Sequence, residues 1–161
     1  MWSKEQIESW LETVTDPEIP TVSIAEMGIL REVTVVNDDT VRVMITPTYS
    51  GCPAMDIIAM QIRMTLLGRG VKQVHIEQQL SPAWTTDWIT ESGRAKMLAL
   101  NIVPPVRGSK DDLGLFEEDE VACPRCGSAH TELVSRFGAT SCKSMYRCLD
   151  CKEPFEHFKC H

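Results

Sequence analysis

The stretch Val41-Arg42-Val43-Met44-Ile45-Thr46-Pro47-Thr48-Tyr49-Ser50-Gly51-Cys52-Pro53-Ala54-Met55-Asp56-Ile57-Ile58 holds the pattern on which the fold turns. Val41, Val43 and Ile45 alternate with Arg42 and Met44, the period of two expected of a strand with one buried face. The segment from Thr46 to Pro53 reads as a loop into a helix over about residues 53–67, because proline suits a first helical turn whose N–H has no partner. Met55, Ile57, Ile58, Met60, Ile62, Met64, Leu66 and Leu67 leave that helix almost no polar face, which predicts that it is largely buried. Gly68 and Gly70 stop it.

Toward the N-terminus, a strand over about residues 29–36 precedes the one quoted, and Asn37-Asp38-Asp39-Thr40 between them reads as a hairpin turn. Farther back, Ser3 and Gln6 form a capping-box pattern, with Trp2 placed to staple onto Ile7. Ile7, Trp10, Leu11 and Val14 then recur at helical spacing. Asp16-Pro17 ends this helix, since the residue before proline is pushed out of the helical region. Asp16-Pro17-Glu18-Ile19-Pro20 is expected to be a rigid loop. Toward the C-terminus come a strand over about residues 71–78, a turn at Ser81-Pro82-Ala83-Trp84 and a short helix over about residues 90–100. Pro104-Pro105 opens a linker that ends in the acid run Glu117-Glu118-Asp119-Glu120. The expectation is an α+β protein, with an α-β-β-α-β-α domain over residues 1–104, an acidic linker over 105–120 and a small module over 121–161.

That module carries Cys123-x2-Cys126 and Cys148-x2-Cys151, with 21 residues between the knuckles. Two such knuckles supply the four thiolates of a tetrahedral zinc site, although the gap slightly exceeds the usual one. A hairpin fits within it, with strands near residues 131–137 and 144–148 and Gly138 at the turn. About 40 residues bury little core, so one structural Zn2+ would supply much of the folding energy. The Cys-Pro-x-Cys-Gly form of the first knuckle favours zinc, and iron–sulfur ligation by the same thiolates is the competing reading. Cys142 and Cys160 are spare thiols, the first read as a small core residue of the hairpin and the second as a tail residue. His130 and His157 read as surface residues.

The chain of 161 residues has a net charge of −7, unevenly spread. Residues 1–120 carry 10 basic and 19 acidic side chains, whereas residues 121–161 carry 6 basic and 4 acidic. An acidic body and a weakly basic module argue against nucleic-acid binding, whose affinity rests on neutralising phosphates. No apolar run is long enough to span a membrane. The start, Met1-Trp2-Ser3-Lys4-Glu5, lacks the apolar stretch of a secretory signal, and clustered cysteine knuckles suit a reducing compartment, so the cytoplasm is expected.

Cys52 stands far upstream of the other six cysteines. It precedes a helix-opening proline, where the helix dipole favours a thiolate, and Thr48, Tyr49 and Ser50 can line the same loop. Three readings stay open for it: a buried structural cysteine, a nucleophile with His75 as base, or a handler of metal or clusters.

Asp16-Pro17-Glu18-Ile19-Pro20 and Thr46-Pro47-Thr48-Tyr49-Ser50-Gly51-Cys52-Pro53 resemble the marks of the SufT (MIP-like) family of iron–sulfur assembly factors. Three further segments, Ser81–Ile89, the Pro104-Pro105 end, and Phe137–Lys143 with Tyr146-Arg147-Cys148, narrow the likeness to the PaaD family of phenylacetyl-CoA epoxidase subunits, over nearly the whole chain. The resemblance implies an accessory factor that helps mature a multicomponent monooxygenase acting on phenylacetyl-CoA. Its clients would be the reductase, which carries flavin and an iron–sulfur cluster, or the diiron oxygenase. The resemblance also implies that Cys52 is the functional thiol, a transient ligand to iron or a cluster, supported by the loop residues Asp16, Glu18, Thr48, Tyr49 and Ser50. A homodimer sharing a cluster is a further expectation. A stable structural or electron-transfer subunit is the alternative. The chain holds neither a nucleotide glycine fingerprint nor a Glu-x-x-His pair, so it is expected to be neither reductase nor diiron oxygenase, and not an enzyme.

Overall fold

The computed structural model describes residues 1–49, 51–105, 121–140 and 142–158. Ser50, Cys160 and nearly all of the expected acidic linker lie outside the described residues. The chain divides into two compact units, Met1–Gly93 and Arg94–His161.

The first unit opens with helix α1, Lys4–Leu11. Its capping box is complete: the Gln6 N–H donates to Ser3 Oγ and the Ser3 N–H to Gln6 Oε1, each at 3.1 Å. Such a cap contributes about 1 kcal/mol. Trp2 lies edge-on against Trp10, with ring centroids 5.2 Å apart. The helix ends at Leu11, before the proline that was expected to stop it. Strands β1 (Thr15–Asp16) and β2 (Ile19–Ser23) then form a two-stranded antiparallel ladder where a rigid loop was expected. The Asp16 carboxylate holds the bend by accepting the Glu18 N–H at 2.7 Å, and Pro20 is tolerated because a two-stranded ladder leaves its nitrogen side unpaired.

Strands β3 (Leu30–Asn37), β4 (Thr40–Ile45) and β5 (Gln73–Gln78) form a three-stranded sheet in that order. The β3–β4 pair is the expected hairpin, with Asn37 opposite Thr40. The Asn37 side-chain carbonyl accepts the Asp39 N–H at 3.0 Å within the turn. The β4–β5 pair is parallel, a geometry that needs a crossover, and helix α2 (Ala54–Gly68) supplies it. Val41, Val43 and Ile45 are fully buried, while Arg42 and His75, paired in register, are exposed on the opposite face. Helix α1 packs on α2 and β3, and α2 packs on β5 and β1. Ile7, Leu11, Ile58, Ile62 and Leu66 fill the core, each adding about 1.5–3 kcal/mol by leaving water.

One expectation about α2 is overturned. Its buried residues, Ala54, Met55, Ile58, Ile62 and Leu66, occupy a single side. Ile57, Met60, Met64 and Leu67 are 42–66% exposed. A three-stranded sheet and one neighbouring helix cover only part of a helix's circumference, so the apolar residues on its far side remain in water.

Beyond β5, the Trp84 indole N–H donates to Met27 O at 2.8 Å, pinning this turn to the loop before β3. A short 3₁₀ turn, Thr86–Trp88, leads to helix α3, Glu91–Ala99. Gly28 takes a positive φ of 73°, and a Cβ there would come within 2.6 Å of Trp88 Cβ, so no larger residue fits.

The second unit is built on a four-stranded sheet in the order β6-β9-β8-β7, where β6 is Ile102–Val103, β7 Thr131–Ser135, β8 Lys143–Cys148 and β9 Pro154–Phe158. The β7–β8 hairpin is the one expected. Strand β9, antiparallel to β8, and strand β6, parallel to β9, were not expected. Ile102–Val103 joins this sheet and lies, with it, in the compact unit Arg94–His161. Gly138 closes the hairpin turn by donating its N–H to Lys143 O at 2.7 Å. A side chain at Gly138 would press on the Glu156 carboxylate, which pairs with the buried Lys143 ammonium at 3.4 Å.

Candidate functional site

In the second unit the turns before β7 and after β8 bring the two knuckles together. The sulfurs of Cys123, Cys126, Cys148 and Cys151 all lie within 4.8 Å of one another. Cys123 Sγ is 3.7 Å from Cys151 Sγ, and Cys126 Sγ is 3.5 Å from Cys148 Sγ. A tetrahedral ion with metal–sulfur bonds of ~2.3 Å sets its sulfurs ~3.8 Å apart, so the spacing fits one small cation. An iron–sulfur cluster interposes several irons and sulfides and would hold its ligands farther apart.

Backbone donors prepare the same site. Arg125 N–H points to Cys123 Sγ at 3.4 Å and Cys151 N–H to Cys148 Sγ at 3.5 Å. Gly127, at a φ of 74°, gives the first knuckle its tight turn. Cys148 is held down to about 7, first by the Cys151 N–H, against the effect of burial. Cys126 behaves oppositely: the Ser128 N–H favours its thiolate, but the neighbouring Cys148 sulfur and burial push it up to about 12. Burial raises Cys123, yet the Cys126 and Arg125 N–H groups bring it below its ordinary value, while burial and Cys148 raise Cys151. A dication would hold all four as thiolates, so the donor set fits a structural zinc ion.

The apolar cluster around the site is small: Val121, Cys123, Tyr146, Cys148 and Phe155, with Val103 against it. Among the described residues, Cys123 and Cys148 belong both to this cluster and to the four-sulfur group. Cys142 is buried but lies outside the four-sulfur group, and its sulfur is 3.1 Å from Thr140 Oγ1. His130 is exposed, with Nδ1 3.6 Å from the Asp150 carboxylate.

Cys52 belongs to the first unit, in the loop between β4 and α2. The base of the loop is fixed by Thr46, fully buried, whose hydroxyl donates to Gln79 O at 2.8 Å and whose N–H donates to Ile29 O. Sequence reasoning gave Thr46 no role, although it opens the Thr-x5-Cys-Pro element. At the tip, Cys52 N–H donates to Tyr49 O at 3.2 Å, in a turn where Gly51 takes a φ of 76°. Cys52 is buried, with 8% of the residue exposed, and Thr48 Oγ1 sits 3.8 Å from its Sγ. Asp16 is buried on β1, which packs against α2, and Glu18 follows it at the bend. His75 stands exposed on the sheet face that carries Arg42. Among the described residues, no helix is long and apolar enough to cross a membrane.

Two family models match the chain. Residues 4–76 match an iron–sulfur cluster assembly protein family, and residues 108–159 match the PaaD zinc beta ribbon domain. A Porphyromonas gingivalis protein named Fe-S protein maturation auxiliary factor is 36% identical over 96 residues, 59% of this chain and 90% of that protein. A crystal structure of a domain of unknown function, DUF59, from Bacillus anthracis shares the fold, with a TM-score of 0.54 at 22% identity, covering 58% of this chain and 90% of that one. An Escherichia coli protein named as a subunit of 1,2-phenylacetyl-CoA epoxidase is 43% identical over 155 residues, 96% of this chain and 92% of that protein. With its assembly domain and its ribbon both matched, and identity running through nearly the whole of both chains, this protein belongs to the PaaD family of phenylacetyl-CoA epoxidase subunits.

Proposed function

We propose that this protein is a maturation factor for a multicomponent phenylacetyl-CoA epoxidase, using Cys52 as a transient ligand for iron or an iron–sulfur cluster bound for a client subunit. The observation that carries this reading is the placement of Cys52. It caps a loop in the iron–sulfur assembly domain, in a different compact unit from the thiols of the metal knuckles. A thiolate is a soft ligand suited to iron, and binding the metal releases the thiol proton. The hydroxyl of Thr48 lies on the same loop, 3.8 Å from that sulfur. The four-cysteine site, with its ligands already facing one another, serves structure rather than transfer, and the ribbon it holds is available for docking. No turnover chemistry is assigned to the chain; iron is its cargo.

The test is the full chain carrying Cys52→Ala, expressed with the epoxidase components. The variant is expected to keep its zinc and its fold, while the reductase or oxygenase is recovered with its iron content, and its activity, lowered at least tenfold. Full iron occupancy in both components would reject the reading. The relative's name as a subunit favours a second reading, a stable part of the complex. In that case the protein co-purifies with the active enzyme in fixed stoichiometry, and stripping it from matured enzyme removes activity.

A further inference from the structure

The exposed side of α2 is the least expected surface of the molecule. Ile57, Met60, Met64 and Leu67 follow one another at intervals of three, four and three residues, so they form a single stripe along the helix. They are 42%, 54%, 66% and 49% exposed. The residues that α2 buries lie on the opposite side, so core packing does not require these four to be apolar. The stripe starts little more than one turn beyond Cys52.

Its size limits what can cover it. Four half-exposed side chains present roughly 400 Å², the scale of a functional patch on a monomer. A standard stable interface takes about 800 Å² from each partner, so the stripe alone is too small for a permanent dimer and suits a contact made and released. Two of its four residues are methionines, whose unbranched, polarisable side chains adapt to differing partner surfaces. Charge gives the stripe a direction. Asp56 stands at the end near Cys52, while the exposed Arg63 stands beside Met64 toward the far end. A helix lying antiparallel on α2, with acidic residues in its first turn and basic residues in its last, would meet opposite charges at both ends.

We infer that the Ile57–Leu67 stripe of α2 is the docking surface for an amphipathic helix of the client protein, held antiparallel so that the client's metal-receiving region lies at the Cys52 end. This rests on the maturation reading above and adds to it the place and chemistry of client contact. The surface is read by an apolar face at i, i+3 and i+7, with a basic C-terminal end.

The experiment compares three full-length variants co-expressed with the epoxidase components: Cys52→Ala, Met60→Glu with Met64→Glu, and the charge reversal Asp56→Lys with Arg63→Glu. All positions but Cys52 are exposed, so far-ultraviolet circular dichroism and zinc content are expected to match the parent chain. The double-glutamate variant is expected to lower client iron at least tenfold. The charge-reversed variant is expected to lower it three- to tenfold, and each should lose crosslinking to the client through a photoreactive group at position 57. Full client iron with both surface variants, alongside loss with Cys52→Ala, overturns the docking surface and leaves the maturation reading intact. Full client iron with all three overturns both. A parent chain that sediments as a dimer and becomes monomeric with Met60→Glu and Met64→Glu also overturns it, since the stripe would then be covered by a second copy. If the double-glutamate variant fails to fold, the charge-reversed variant and the position-57 crosslink decide.

Discussion

The two units use cysteine in opposite ways. In the first, the core is closed by aliphatic side chains such as Ile7, Leu11, Ile45, Ile58, Ile62 and Leu66, and Cys52 is a single buried thiol on the loop before α2. In the second, among the described residues, Cys123 and Cys148 are themselves part of the apolar cluster with Val121, Tyr146 and Phe155, and their sulfurs lie against those of Cys151 and Cys126. Among the described residues, the same side chain therefore faces three other thiols in the second unit and stands apart from any other thiol in the first. What decides is whether the surrounding apolar area suffices to fix the chain without it. A domain that closes its own core can leave a thiol available for chemistry. A ribbon of this size must commit its thiols to a metal.

Removing a ribbon thiol breaks the comparison most severely. Cys148→Ser takes a ligand from a site of the kind whose binding contributes about 10–16 kcal/mol to small zinc modules. The variant is expected to lose its zinc and the hydrogen-exchange protection of β7, β8 and β9, while β3, β4 and β5 stay protected. All four tryptophans, Trp2, Trp10, Trp84 and Trp88, lie within residues 1–93, so tryptophan fluorescence, excited apart from tyrosine, reports on the first unit alone and should not change. A metal-free variant with β8 still protected would show that the Tyr146–Phe155 stack, with centroids 5.8 Å apart, holds the ribbon unaided.

The converse break lies in the first unit. Ile62 is fully buried on α2, and Ile62→Ala is expected to cost about 2–5 kcal/mol through lost burial and the cavity left behind. Denaturant titration followed by tryptophan fluorescence measures it. Zinc content and the protection of the ribbon strands should match the parent chain. Loss of zinc in this variant would mean that the ribbon borrows its stability from the first unit.

Much of this contrast was legible in the residues. The Ser3–Gln6 box, the Asn37–Thr40 turn and the two knuckles are local patterns whose partners lie within a few residues or share one chemistry, and all appear where expected. What escaped depends on distant partners. Strands β1 and β6 have two residues each, too few to show a period, and exist because β2 and β9 pair with them. The parallel β4–β5 register leaves no mark in either strand. The face of α2 was misread for a different reason. A helix apolar on all sides gives no sign of which side the protein covers, and the exposed Met60 and Met64 look like core residues in the sequence. The role of Thr46 was hidden because its hydroxyl reaches Gln79, a residue with no signature of its own.

The smallest expected effect is the most telling about Cys52. Its backbone makes the loop's hydrogen bonds, accepting from Met55 N–H and donating to Tyr49 O, and any residue can make those. Its sulfur meets the Thr48 hydroxyl at 3.8 Å, a contact too long to contribute much. Cys52→Ala should therefore change the unfolding free energy of the first unit by no more than about 1 kcal/mol, well below the cost of Ile62→Ala in the same titration. A loss of about 3 kcal/mol or more would mean that the packing of the buried Cys52 side chain holds the fold. The fall in client iron expected of this variant could then be charged to a damaged fold. A small change removes that explanation, and the thiol itself becomes what the client requires.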